Sequence, residues 1–269
     1  MSGYTEDSAD PWFDQVRPEK KPLHLRTLIL IHGFGVRKDF WEPYVHSSLD
    51  HTFHHIITPD IDYSSFLDAL EHVKQIIYQN YEKYGDKGPI ILMGHSLGGV
   101  LAAVAGKELG TTVVEKIILI AAPYGEQKAS DFQLSIQRWF LRHDWLLPNF
   151  LTRRRFFTKL TPKKIQKKVW KNAVKESDKL IEDLFGRRLP HMDMIDKPLP
   201  QGRKNLLFIA SKDDKIVSYE DAEQFAEIIG AELFTVEKAG HDDLIFAPNI
   251  ASKIIEKIVS FVKPGKEKI

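Results

Sequence analysis

Three apolar runs in this chain are too unbroken to face water: "LILI" from Leu28, "IILM" from Ile90 and "IILI" from Ile117. A strand with one wet face alternates apolar and polar residues, whereas an unalternating strand is covered on both faces. The segments between these runs have a different period. From Ser65 to Tyr84, apolar residues fall at 66, 67, 70, 73, 76, 77 and 81, the spacing of an amphipathic helix. Later, "NLLFIAS", "SYEDAEQFAEIIG", "AELFTVE" and "PNIASKIIEKIVSFV" read as strand, helix, strand and helix. "HHIITPDID" adds a short strand stopped by Pro59, and "VRKDFWEPYVHSSL" a turn and short helix. Such alternation predicts an α/β fold: a mainly parallel sheet of about six strands, with helices on both faces.

The alternation stops between about residues 126 and 200, where polar and aromatic helical patterns carry no buried strand. We therefore expect a core from residues 1–125 and 201–269, interrupted by a helical insert at 126–200, after the strand at 116–121. In that insert, "TPKKIQKKVWKNAVKESDKLIEDLFG" predicts a helical stretch with Thr161 as N-cap, Pro162 in its first turn and Gly186 at its end. At 269 residues and 43% hydrophobic, the chain can fill a sizeable core. It has no cysteine, which excludes disulfides, thiol nucleophiles and cysteine-based zinc sites. The first 22 residues hold no apolar core of signal-peptide length, and no stretch approaches the roughly 18 to 20 apolar residues of a membrane span. A cytoplasmic protein is the default expectation.

The net charge of +1 gives no reason to expect nucleic acid as a partner, but it hides an asymmetry. Residues 126–200 carry 17 Lys and Arg against 9 Asp and Glu, a net +8 that leaves −7 for the rest. A basic insert of this kind is either a solvated helix face or a cap that attracts acidic substrates or makes a weak contact with an anionic lipid surface. "RRRFF" at 153–157 is the densest part. The insert also holds Trp139, Phe140, Trp145, Phe156 and Phe157, with Phe150 and Trp170. Aromatics at this density can wall an apolar substrate pocket or bury the insert against the core.

The chemistry centres on "PIILMGHSLGGVLAAVAGKEL", residues 89–109. Here Gly-x-Ser-x-Gly lies between a predicted strand and a predicted helix, with Gly94 and Gly98 two residues either side of Ser96. A tight strand-to-helix turn needs small residues there, and it pushes the serine oxygen out at the sheet edge. The adjoining helix N-terminus offers free N–H groups to a developing negative charge. A serine also needs a base. Of eleven histidines, His241 in "VEKAGHDDLI" falls in a loop after the last strand, on the edge expected to hold Ser96. The base in turn needs a carboxylate to orient it, and Asp213 and Asp214 both follow the strand "LLFIA". Spacing leaves the choice between them open.

Taken together, these residues resemble the α/β-hydrolase superfamily, over roughly residues 27–125 and 203–262. The order serine, acid, histidine is that family's order, and the insert falls where its cap or lid usually falls. "SKDDKIV" is similar to the family's acid loop with Ser211 in place of a glycine, which implies Asp214 as the acid. "HGFG" resembles the oxyanion loop, implying that the N–H groups of Phe34 and Leu97 bind the oxyanion and that His32 braces the loop. The resemblance implies a carboxylesterase or monoacylglycerol-lipase-like serine hydrolase acting on an apolar ester. It implies no cofactor, and no histidine pair at helical metal-ligand spacing calls for a metal. A thioesterase, acyltransferase, perhydrolase or carbon–carbon bond hydrolase could use the same triad. A receptor that keeps the triad but turns over little is the non-enzymatic alternative. The usual N-terminal strand pair has no counterpart before Thr27.

Overall fold

The structure, a computed structural model, describes residues 26–45, 47–85, 88–125, 149–186 and 189–263. Six strands form one sheet: β1 (Thr27–Ile31), β2 (His55–Ile57), β3 (Ile90–His95), β4 (Val114–Ile120), β5 (Leu206–Ser211) and β6 (Glu232–Val236). They lie in the order β2-β1-β3-β4-β5-β6, and every pairing is parallel. All residues of β1, β3 and β5 are buried, as their unalternating sequences require.

Helices α1 (Phe66–Tyr84), α2 (Leu97–Val113) and α6 (Tyr219–Ile229) pack on one face of the sheet. On the other lie a short helix, α7 (Asp243–Phe246), and the last one, α8 (Pro248–Val262). The local signals explain the boundaries. The Ser65 hydroxyl accepts from the Asp68 N–H to start α1, and Ser218 does the same for α6 through Asp221 N–H. α6 ends at Gly230 in a left-handed conformation, φ 73°. Because all six strands run the same way, every β-to-α loop opens at one sheet edge, where the side chains of a site can meet.

Between β4 and β5 the described residues form α3 (Asn149–Phe156), α4 (Lys163–Lys171) and α5 (Asp178–Leu184). The single helical stretch expected from Thr161 to Gly186 is two helices. Asn172 caps α4, and the Ser177 hydroxyl accepts from Leu180 N–H to begin α5. Thr161 is not an N-cap; its hydroxyl donates instead to Asp243 at 2.6 Å. Trp139, Phe140 and Trp145 lie outside the described residues. Among the described residues no helix is long and apolar enough to cross a membrane.

Candidate active site

β3 ends at His95 and α2 begins at Leu97, so Ser96 alone reverses the chain. Its backbone sits at φ 53°, ψ −125°, a conformation that a side chain makes costly. Two glycines make the turn possible. A Cβ on Gly94 would lie 2.1 Å from the Gly98 carbonyl oxygen, and one on Gly98 would lie 2.2 Å from that of Ile31. The turn is then locked from both sides: Ser96 N–H donates to Ile120 C=O at 2.8 Å, and Gly99 N–H donates to Ser96 C=O at 2.9 Å.

Ser96 lies against the loop that follows β1, since a Cβ on Gly33 would come within 3.0 Å of the serine Cβ. That loop holds Phe34, and its braces are specific. His32 Nε2 accepts from Ile61 N–H at 3.0 Å, which makes Nδ1–H the donor to Gly33 C=O at 3.0 Å. Tyr63 donates its hydroxyl proton to His32 C=O. Burial drives the His32 pKa down to about 4, so the ring stays neutral and keeps its acceptor.

The insert holds the same loop from above. Gly35 N–H donates to Glu176 Oε1 at 3.0 Å, and Val174 N–H donates to Gly35 C=O at 2.9 Å. Both backbone polar groups of the residue after Phe34 are thus bonded to residues 174–176. Arg37 completes the clasp with a 3.2 Å contact to the same Glu176 oxygen, whose side chain is 3% exposed. Burial raises the Glu176 pKa, against the opposing pull of Arg37.

At the far side of the edge, His241 Nδ1 and Asp214 Oδ2 are 2.8 Å apart, both side chains 2% exposed. Asp214 Oδ1 accepts from the N–H groups of Ile216 and Val217 at 2.7 and 3.1 Å, which fixes the carboxylate for that bond. Asp213 turns away and accepts from Lys238 N–H at 2.8 Å. Of the two candidate acids, therefore, only Asp214 meets the histidine. Burial alone would lower the His241 pKa; the charge and hydrogen bond of Asp214, with Asp242 beyond, reverse this and raise it above 6.5. Among the described residues, no hydrogen bond joins the Ser96 hydroxyl to His241 in this conformation.

Two neighbours of His241 carried no signal in the sequence. The His95 ring packs 4.7 Å from the His241 ring and its Nε2 lies 3.3 Å from His241 C=O. β3 ends so close to the histidine loop that the two rings share one buried space. Asp242 Oδ1 lies 3.8 Å from His95 Nε2, and its burial raises its pKa to about 7. These three are the group of described side chains near enough to share a cation, with candidate ligand atoms within 4.8 Å of one another. In this arrangement His95 and Asp242 act on His241 by packing and by charge.

Asp243, the next residue, is fully buried and ties the histidine loop to the insert. Its Oδ2 accepts from Gly240 N–H at 2.8 Å, Thr158 N–H at 2.9 Å and the Thr158 hydroxyl at 2.5 Å. Phe156 C=O accepts from Asp242 N–H at 2.9 Å, and the Phe156 ring stands 5.9 Å from that of His241. Phe156 is thus beside the candidate base. Phe157 turns the other way and is 4% exposed in the core against Phe246.

Residues 28–250 match a family model described as "Alpha/beta hydrolase family". Over 108 residues the chain is 30% identical to a Mycoplasma pneumoniae protein called "Putative esterase/lipase 3", a match spanning 39% of each chain. Solved structures with a similar fold include an esterase from Exiguobacterium antarcticum (TM-score 0.72, 19% identity, 90% of this chain and 93% of that one). A bromoperoxidase from Bacillus anthracis has TM-score 0.70 at 17% identity, covering 91% of this chain and 94% of its own. MenH from S. aureus has TM-score 0.61 at 17% identity, covering 92% and 96%.

Proposed function

The chain belongs to the alpha/beta hydrolase family, and from that premise we propose that it is a serine hydrolase cleaving carboxylic esters with an apolar acyl or alcohol part. The reading rests above all on the 2.8 Å Asp214–His241 pair lying at the same sheet edge as a serine held in a strained turn. In this mechanism Ser96 Oγ attacks the ester carbonyl carbon while His241 Nε2 takes its proton. The Ser96–His241 hydrogen bond forms as the substrate binds, as catalytic bonds in free enzymes often do. Asp214 keeps Nδ1 protonated and offsets the imidazolium charge. The carbonyl oxygen becomes an oxyanion held by the N–H groups of Phe34 and Leu97. His241 then gives its proton to the departing alcohol, leaving an acyl-serine. Water deprotonated by the same histidine releases the acid and restores the serine.

The insert serves in this account as a roof that grips the oxyanion loop through Glu176 and the histidine loop through Asp243. Phe156 would face the substrate beside His241. Hydrolysis of nitrophenyl esters over a range of chain lengths tests the assignment. The wild-type chain should turn over, Ser96→Ala should be inactive with an unchanged melting temperature, and retained activity would remove Ser96 as nucleophile. Product analysis with a competing alcohol shows whether water or another acceptor resolves the acyl-serine.

A further inference from the structure

The charge asymmetry of the chain is concentrated on one helix. α4, "KKIQKKVWK", has lysines at 163, 164, 167, 168 and 171, a spacing that gathers all five on one face. All five are exposed, while Ile165 and Val169 on the opposite side pack against the core. Lys168 pairs with Glu42 at 2.9 Å. Neither α4 nor α3, whose last turn holds Arg153, Arg154 and Arg155, contains an acidic residue.

Two apolar groups accompany this charge. Trp170 borders the lysine face and, with Arg153, Lys167 and Lys171, lines a shallow open groove of about 410 Å³. Leu160, in the turn between α3 and α4, is 45% exposed and follows Lys159. Lysines around a half-buried tryptophan and an exposed leucine suit a bilayer interface, where amphipathic rings sit at headgroup level and basic groups meet anionic lipid. The position relative to the site is close. The Phe156 ring stands 6.1 Å from Trp170 and 5.9 Å from His241, so one aromatic ring separates the groove from the candidate base.

We propose that the lysine face of α4, with Trp170 and Leu160, docks on the surface of an anionic phospholipid bilayer and brings Ser96 to ester substrates held there. The substrate class, lipid esters at an interface, rests on the esterase reading; the docking itself does not. Each lysine near such a surface changes partitioning about fivefold, so four together govern it by roughly several hundredfold.

Co-sedimentation of the full chain with phosphatidylcholine vesicles, with and without phosphatidylglycerol, tests the docking. Binding is expected only with phosphatidylglycerol and should weaken as salt is raised. Replacing Lys163, Lys164, Lys167 and Lys171 together by alanine should lower it by roughly several hundredfold; replacing the same four by arginine should preserve it. Hydrolysis of a soluble short-chain ester should be the same in all three proteins. Equal binding by the alanine variant, no preference for phosphatidylglycerol, or preferential capture by RNA in competition with vesicles would overturn the docking. Vesicle binding with no ester turnover would uphold the docking and remove the esterase reading; turnover without vesicle binding would do the reverse.

Discussion

Glu176 sits 141 residues from Gly35 in sequence, yet its carboxylate fixes the residue next to a proposed oxyanion donor. Glu176→Ala removes a charge-assisted hydrogen bond worth about 1.5–3 kcal/mol and leaves Gly35 N–H without its acceptor. At roughly 2–4 °C per kcal/mol for a chain of this size, the melting temperature should fall by about 3–12 °C. The catalytic effect is separate. Losing an oxyanion donor outright costs about 10²–10³ in kcat. Here the Phe34 N–H survives, but of the two backbone bonds that hold Gly35 only the one from Val174 N–H remains, so a fall in kcat of about 10-fold to 10²-fold is expected. KM should hardly move, because the oxyanion forms only after the substrate is bound. Glu176→Gln keeps an oxygen to accept from Gly35 N–H and should recover most of kcat. Steady-state kinetics on a nitrophenyl ester, below the melting temperature of every variant, give the comparison. An alanine variant with wild-type kcat, or a glutamine variant as slow as alanine, would show that Glu176 does not position the oxyanion loop.

Asp214→Asn should lower kcat about 10⁴-fold by leaving His241 in the wrong tautomer, whereas Asp213→Asn, which loses only a contact to Lys238 N–H, should stay near wild type. The raised pKa of His241 places the acid limb of kcat/KM above pH 6.5, since activity needs the neutral ring and is lost as pH falls through that pKa. Removing the neighbouring negative charge with Asp242→Asn makes the imidazolium less favourable, so this limb should move to lower pH; an unmoved profile would exclude Asp242 as an influence on the base. Asp243→Asn replaces one of two accepting oxygens by a donor at a fully buried site. It should cost about 2–3 kcal/mol in a denaturant titration, through loss of at least one bond to Thr158, Thr161 or Gly240.

What was legible in the sequence is what local pattern encodes. Unalternating runs at β1, β3 and β4 announce strands covered on both faces, and the parallel sheet follows from the helices between them. Ser96 was legible because the turn itself demands Gly94 and Gly98, a steric requirement that is written beside the serine. His241 and Asp214 were legible as loop residues after strands, because a parallel sheet gathers all such loops at one edge. The choice between Asp213 and Asp214 was not a matter of periodicity; it depends on the turn in which Ile216 and Val217 N–H groups capture one carboxylate. Glu176 and Asp243 gave no signal, since their partners are fixed by how the insert lies on the core. The stretch from Thr161 to Gly186 misled in the opposite way. Helix-favouring residues continue across the break at Asn172–Glu176, which the strand-edge contacts of Val174 and Glu176 hold out of helix. Ser177, the N-cap of α5, was the local clue.

We propose Ser96 as a nucleophile activated by His241 and Asp214. Reaction of the intact protein with a fluorophosphonate, followed by peptide mass spectrometry, should give one adduct, on Ser96, absent from Ser96→Ala and formed far more slowly in Asp214→Asn. An unlabelled wild-type protein, or an adduct on any other residue, would rule this assignment out.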